Sequence, residues 1–200
     1  MEVKTLDNNT FEDYCVQFAT RIHREFKPDL IIGIKNGGAI VAKEMLKHEI
    51  FNDVEYDELI LQRTSTKAKN KFKISSVLKL LPYSITNYFR IVESVHNEKI
   101  YMKERKRKNL KSVVLSQTMS NKIKKSMNIL VIDDAVDSGR TMLSVKRAFE
   151  NINSNLTIKT AAITVTYKEP LLNPEFYMEN GVLIRFPWSN DYKKRIKKNA

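Results

Sequence analysis

The sequence predicts an α/β fold built on a parallel sheet, with a long basic, partly helical insertion. Three observations predict it. Short apolar runs rich in β-branched residues recur along the chain, two of them are followed by glycine turns that open amphipathic helices, and strand, turn, helix, strand is the pattern of a parallel sheet. Between those two units lies an interval, 63–126, whose composition is unlike the rest.

The elements follow in order. Phe11, Tyr14, Cys15, Phe18, Ala19 and Ile22 are spaced for one face of a helix over 10–26, with Thr10 and Asp13 suggesting its N-cap and Pro28 its end. Leu30-Ile31-Ile32-Gly33-Ile34, bounded by Pro28 and Gly37-Gly38, reads as a buried strand, and 39–48 as the next helix. Further strands are expected at 59–61, 129–132, 161–165 and 182–186, and a helix at 141–151 with Met142, Val145, Ala148 and Phe149 on one face. Within the insertion, Val77, Leu80, Leu81, Ile85, Tyr88, Phe89 and Val92 imply two short helices or one kinked at Pro82. No internal repeat is visible, so the 200 residues read as a single domain with an insertion and a basic tail over 193–200.

Composition narrows the function classes. An apolar fraction of 42% and 29% charge are compatible with a packed core and argue against disorder. The net charge of +12 is unevenly placed: residues 1–56 carry −3, 57–126 carry +12, 127–192 carry −2, and the tail carries five basic and no acidic side chains. That distribution excludes a uniformly basic coat, and the charge belongs to particular segments. The single Cys15 excludes an internal disulfide, and no Cys/His spacing suits structural zinc. No apolar run reaches the ~20 residues of a membrane span. The opening Met1-Glu2-Val3-Lys4-Thr5 lacks the form of a signal peptide. A cytoplasmic protein with no membrane partner is the expectation.

The most specific stretch is Ile129-Leu-Val-Ile-Asp-Asp-Ala-Val-Asp-Ser-Gly-Arg-Thr141. A buried strand would deliver Asp133 and Asp134 to its C-terminal edge, where open α/β sheets bind ligands. The turn at Ser138, Gly139 and Thr141 can aim backbone N–H groups, hydroxyls and a positive helix end at a phosphate. Paired carboxylates suit a sugar diol and a hard metal ion.

These thirteen positions closely resemble the phosphoribosyl pyrophosphate (PRPP) motif of the type I phosphoribosyltransferases. The segment Pro28 to Gly38 resembles that family's first strand and pyrophosphate loop, and the C-terminal part, from Lys168 to Pro187-Trp188, is similar to the hypoxanthine, guanine and xanthine branch. The resemblance implies a Rossmann-like core and Mg2+-dependent transfer of a phosphoribosyl group from PRPP to a nitrogenous, purine-like acceptor, with release of pyrophosphate. It implies PRPP contacts from Asp133, Asp134, Ala135, Val136, Asp137, Ser138, Gly139, Arg140 and Thr141, with Asp133 and Asp134 also toward the metal. Lys35, Asn36, Gly37 and Gly38 would surround the pyrophosphate, and Lys168, Leu183 and Ile184 would meet the base. Asp137, with Lys35, would be catalytic, Asp137 lying near the attacking nitrogen. Two departures stand out: Leu183 falls where the branch usually stacks an aromatic ring, and Ser189 where an acid often follows Pro-Trp. Trp188 is expected to pack at the core or rim.

The family keeps a mobile lid between its two motifs, so 63–73 and 103–108 are lid candidates. The same basic interval, 63–126, suggests a nucleic-acid or protein partner, and a homo-oligomer or a complex is expected. The alternative reading is a module that senses PRPP or a nucleotide and grips such a partner.

Overall fold

The computed structural model describes residues 1–61, 78–105, 110 and 112–194. Five parallel strands form the main sheet. They are β2 (Leu30–Ile34), β3 (Glu55–Leu59), β4 (Asn128–Val136), β5 (Thr157–Val165) and β6 (Phe176–Asn180), in the order β3-β2-β4-β5-β6. Ile31 pairs with Leu130 and Ile32 with Val131, which places the two motif-bearing strands side by side at the centre. A separate two-stranded parallel sheet joins β1 (Glu2–Thr5) to β7 (Val182–Arg185).

Alternation along the central strands sorts the core into two layers. Ile31, Leu130 and Ile132 face α1 (Asn8–Glu25) and α2 (Gly37–Met45), meeting Phe18, Val41 and Met45. Leu30, Ile32, Ile129 and Val131 face the opposite layer, which contains α4 (Gln117–Lys125) and α5 (Arg140–Glu150) and supplies Met119, Ile123, Val145 and Phe149. Between β3 and α4 runs α3 (Tyr83–Glu104).

Several expectations shift. Helix α1 starts earlier than 10, because Asp7 is its cap: Asp7 Oδ1 accepts from the Thr10 amide at 2.9 Å, and Thr10 Oγ1 accepts from the Asp7 amide at 2.8 Å. Thr10 is thus the inner half of a capping box. The strand expected at 59–61 is Glu55–Leu59, an edge strand whose polar side chains hide its period. Pro82 follows helical residues 78–80 and precedes α3, which is continuous for 22 residues, so two helices and not one kinked helix flank it, the second longer than expected. The strand near 182–186 pairs with β1 outside the main sheet. Of the lid candidates, 63–73 lies outside the described residues, while Lys103, Glu104 and Arg105 sit at the C-terminal end of α3. Most basic residues of the interval expected to meet a macromolecule likewise lie outside the described residues. No described helix is long and apolar enough to cross a membrane.

Candidate active site

The C-terminal edges of β2 and β4 bring the two motifs into contact. A Cβ on Gly37 would overlap the Asp134 carboxylate, and one on Gly38 would overlap the Ile132 carbonyl oxygen. Only glycine lets the first turn of α2 lie this close to β4. Asp133 and Asp134 project from the last residues of β4, half-buried; Asp133 Oδ1 accepts from the Asp134 amide at 2.9 Å. Asp134 is held further by Trp188, whose Nε1 donates to Oδ2 at 3.3 Å. Trp188 in turn stacks on Phe186, ring centroids 4.7 Å apart, and meets Phe11 edge-on at 5.0 Å. The sequence placed Trp188 at the core or rim and gave no sign of its bond to an acid 54 residues away.

Lys35 and Asn36 are exposed at the start of the first loop, and the peptide between them is cis. Lys35 Nζ lies 2.8 Å from Glu58 Oε2, while Lys43 Nζ lies 2.5 Å from Glu58 Oε1. These two ammonium groups, Lys35 first, hold the Glu58 carboxyl down at about 2. The pair of lysines with one acid leaves a net positive charge beside the loop. Nothing in the sequence singled out Glu58.

Ala135 is half-buried, and the Val136 side chain packs in the core. Beyond them the chain turns. Gly139 has φ +70°, and a Cβ there would overlap the Leu172 backbone, so this N-cap of α5 needs glycine on both counts. The Ser138 carbonyl accepts from the Leu171 amide at 2.8 Å. Thr141 is exposed in the first turn of α5. Arg140 turns away toward α3, donating to the Glu104 carbonyl at 3.2 Å and lying 5.5 Å from the Tyr101 ring.

Asp137 is exposed at the end of β4 yet crowded by protein. Burial pushes its carboxyl up, a hydrogen bond donated by Thr166 opposes that, and the charges of Asp134 and Glu93 add to the rise. A carboxylate raised in this way is a better proton acceptor than an ordinary aspartate.

The insertion helix is a fixed wall of this site. Arg185 on β7 is fully buried: Nε reaches Asp191 Oδ2 at 2.9 Å, Nη1 reaches Thr5 Oγ1 at 2.8 Å, and Nη2 reaches Thr86 Oγ1 at 3.0 Å on α3. Arg90 of α3 grips the same carboxylate, Nε to Oδ2 at 2.9 Å and Nη2 to Oδ1 at 2.5 Å. Burial alone would raise the Asp191 carboxyl, but the two guanidinium groups outweigh it and hold it at about 2. At the other end of α3, Tyr101 OH donates to the Glu169 carbonyl at 2.8 Å and Glu98 Oε1 accepts from the Lys168 amide at 2.8 Å.

A cleft of about 510 Å³ opens where these parts meet, lined by Phe89, Arg90 and Glu93 of α3, by Asp134 and Ala135, and by Ile184, Phe186 and Trp188 to Asp191. Ile184, one of the residues expected to meet the base, lines this cleft. Leu183 points to the other face of β7 and is not among the lining residues; Lys168 is exposed beyond β5 and does not line it either. Phe89, 53% exposed, supplies an aromatic ring to the cleft from the insertion.

Fold and site together define a type I phosphoribosyltransferase architecture, and the chain belongs to the family described as the phosphoribosyl transferase domain, whose model matches residues 3–193. Among solved structures it is similar to a purine phosphoribosyltransferase from Pyrococcus horikoshii Ot3, at 16% identity over 99% of this chain and 100% of that one, with a TM-score of 0.58. It is similar as well to the xanthine-guanine-hypoxanthine phosphoribosyltransferase of Helicobacter pylori, at 13% identity over 94% of each chain and a TM-score of 0.56. A hypothetical protein from Neisseria gonorrhoeae with bound ppGpp shares 14% identity over 94% of this chain and 89% of that one, with a TM-score of 0.57. At these identities the likeness is one of fold. No curated protein sequence matches the chain.

Proposed function

We propose that the chain is a phosphoribosyltransferase that moves the 5-phosphoribosyl group of PRPP onto a nitrogen of a purine-like acceptor. The observation that supports this most directly is the apposition of Gly37 and Asp134, which joins the pyrophosphate loop to the acid pair at one sheet edge. Asp133 and Asp134 face a ribose diol, the turn from Ser138 to Thr141 cradles the 5-phosphate, and Lys35 with the α2 amides takes the pyrophosphate. The bond between the anomeric carbon and the pyrophosphate oxygen breaks, the acceptor nitrogen bonds to that carbon, and Asp137 takes the nitrogen's proton.

Among the described residues no group of three or more His, Cys, Asp or Glu side chains could hold a metal ion. The donor set is the adjacent pair Asp133 and Asp134, which fits magnesium, an ion usually held by one or two carboxylates together with substrate phosphates. Asp133 and Asp134 would hold such an ion, which would supply neutralising charge for the pyrophosphate. Protein, PRPP and magnesium are incubated with a panel of free bases and pyrophosphate release is measured. Release with a purine base is expected, and no release with any acceptor, together with no PRPP binding by calorimetry, overturns the proposal.

A further inference from the structure

The cleft beside Asp134 abuts a second, larger one. Trp188, Ser189 and Asn190 line both. The outer cleft has a volume of about 850 Å³, and beyond that shared partition it is lined by Asn8, Lys79, Pro187, Tyr192, Lys193 and Lys194. Among the described residues, three cations face it and no carboxylate does. The inner cleft alone, at about 510 Å³, already falls in the ~300 to 1,000 Å³ range of a small-molecule site. A free base needs nothing more.

The charge of the outer cleft is not offset within it. Lys4, Lys35, Lys43, Lys122 and Lys146 each reach a carboxylate. None of Lys79, Lys193 and Lys194 forms an ion pair with a described carboxylate. The segment that carries two of them is nonetheless anchored: the Lys193 amide donates to Tyr83 OH at 3.0 Å, and Lys193 Nζ lies 5.4 Å from the Tyr83 ring, which also receives Arg185 at 4.2 Å. Tyr83 opens α3, so the buried network that fixes the insertion also fixes the start of the basic tail. The partition is neutral and polar: Ser189 and Asn190 add no charge, and the indole of Trp188 is pinned between Asp134 and the Phe186 ring. Unpaired ammonium groups held around an open cleft are an electrostatic site for phosphate.

We infer that the outer cleft is a phosphate-binding extension of the acceptor site, so that a nucleotide binds there more tightly than a free base. This rests on the transferase reading above. Its base lies between Phe89 and Ile184, and its phosphate passes Trp188 to reach Lys79, Lys193 and Lys194. The shared chemistry is a base carrying phosphate, whether as a mononucleotide or as the end of a short oligonucleotide.

Trp188 is the single tryptophan of the chain and lines both clefts, so its fluorescence reads their occupancy. With PRPP saturating, which fills the phosphate turn at Ser138 to Thr141, the full-length protein is titrated with guanine, with GMP and with a 5′-phosphorylated GpG dinucleotide. The same titrations use the triple variant Lys79→Ala, Lys193→Ala, Lys194→Ala. All three lysines are partly or fully exposed, so the variant should keep its fold, checked by circular dichroism. A phosphate-bearing ligand is expected to bind at least tenfold more tightly than guanine, with the advantage lost in the triple variant and guanine affinity changed less than twofold. Tighter binding of GpG than of GMP assigns an oligonucleotide end, and equal binding a mononucleotide. Equal affinity of base and nucleotides, or an advantage that survives in the triple variant, overturns the inference. The two proposals fail separately. Pyrophosphate release with free bases but no lysine-dependent nucleotide binding removes the outer site and leaves the transferase. Lysine-dependent binding without pyrophosphate release from any acceptor removes the transferase and leaves a nucleotide site.

Discussion

Gly37 and Asp134 lie so close that no side chain fits between them, although 96 positions of sequence separate them. One opens α2 and the other ends a core strand, so this contact sets the distance between the pyrophosphate loop and the acid pair. Gly37→Ala must displace either the Asp134 carboxylate or the helix turn. Overpacking of this kind commonly costs ~1 to 3 kcal/mol, felt here at the site first. PRPP affinity measured by calorimetry should fall by more than tenfold, whereas the melting temperature should fall by only a few degrees. Wild-type PRPP affinity in Gly37→Ala would show that the contact does not position the acid.

Asp137 separates binding from chemistry. Asp137→Asn keeps the shape of the side chain but cannot take a proton, so transfer should drop by ~10²- to 10⁴-fold with PRPP affinity unchanged within twofold. The pH profile carries its own sign. Because burial, Asp134 and Glu93 raise this carboxyl, the acid limb of kcat/KM should lie above the ~3.9 of an ordinary aspartate. Thr166 donates to the ionised form and lowers the value; Thr166→Val should therefore move the acid limb to still higher pH. A limb that stays in place, or moves down, would remove Asp137 as the titrating group.

The buried Arg185, Asp191 and Arg90 cluster predicts where the insertion comes loose. Asp191→Ala strands a fully buried guanidinium, a change that typically costs ~3 to 5 kcal/mol, and urea denaturation should report it. The pH dependence follows from the direction of the shift. Asp191 titrates at about 2 when folded and near ~3.9 when unfolded, so its stabilisation is complete above pH ~4 and is lost as the pH falls toward 2. Asp191→Asn should flatten the acid-denaturation slope in that window. An unchanged slope would mean that the network is not what holds α3 in place.

How far the sequence carried depended on whether a feature was local. The thirteen residues from Ile129 to Thr141 form a contiguous strand, turn and helix start, and each has its expected backbone form because a buried β-branched run and Gly139 leave few alternatives. Strands β1 and β6 were invisible, since Glu2–Thr5 and Phe176–Asn180 are short and half-polar and become strands only by pairing with β7 and β5. The capping role of Asp7 was missed for a smaller reason: Thr10 fits the same composition three residues later. The insertion could be read as amphipathic and basic, but its docking rests on Arg185 meeting Thr86 and Asp191, contacts with no sequence spacing of their own. The departure at Leu183 likewise gave no sign that another aromatic, Phe89, lines the cleft from α3.

That entry gives the last prediction. Phe89 and Glu93 sit one helical turn apart on α3 and line the same cleft as Asp134 and Ile184. Phe89→Ala removes the ring available to cover an acceptor base, and lost base stacking is worth ~1 to 3 kcal/mol. The acceptor KM should rise ~5- to 100-fold while the PRPP KM stays constant, a split that general destabilisation would not produce. Glu93 acts through charge. It raises Asp137, so Glu93→Gln should shift the acid limb of kcat/KM to lower pH, opposite in direction to Thr166→Val. Two substitutions outside the PRPP motif, one on the insertion and one after β5, would thus move the same titration in opposite directions, as expected if both act on Asp137. A shift in the same direction for both would assign the limb to some other group and leave α3 as a wall without electrostatic influence on the reaction.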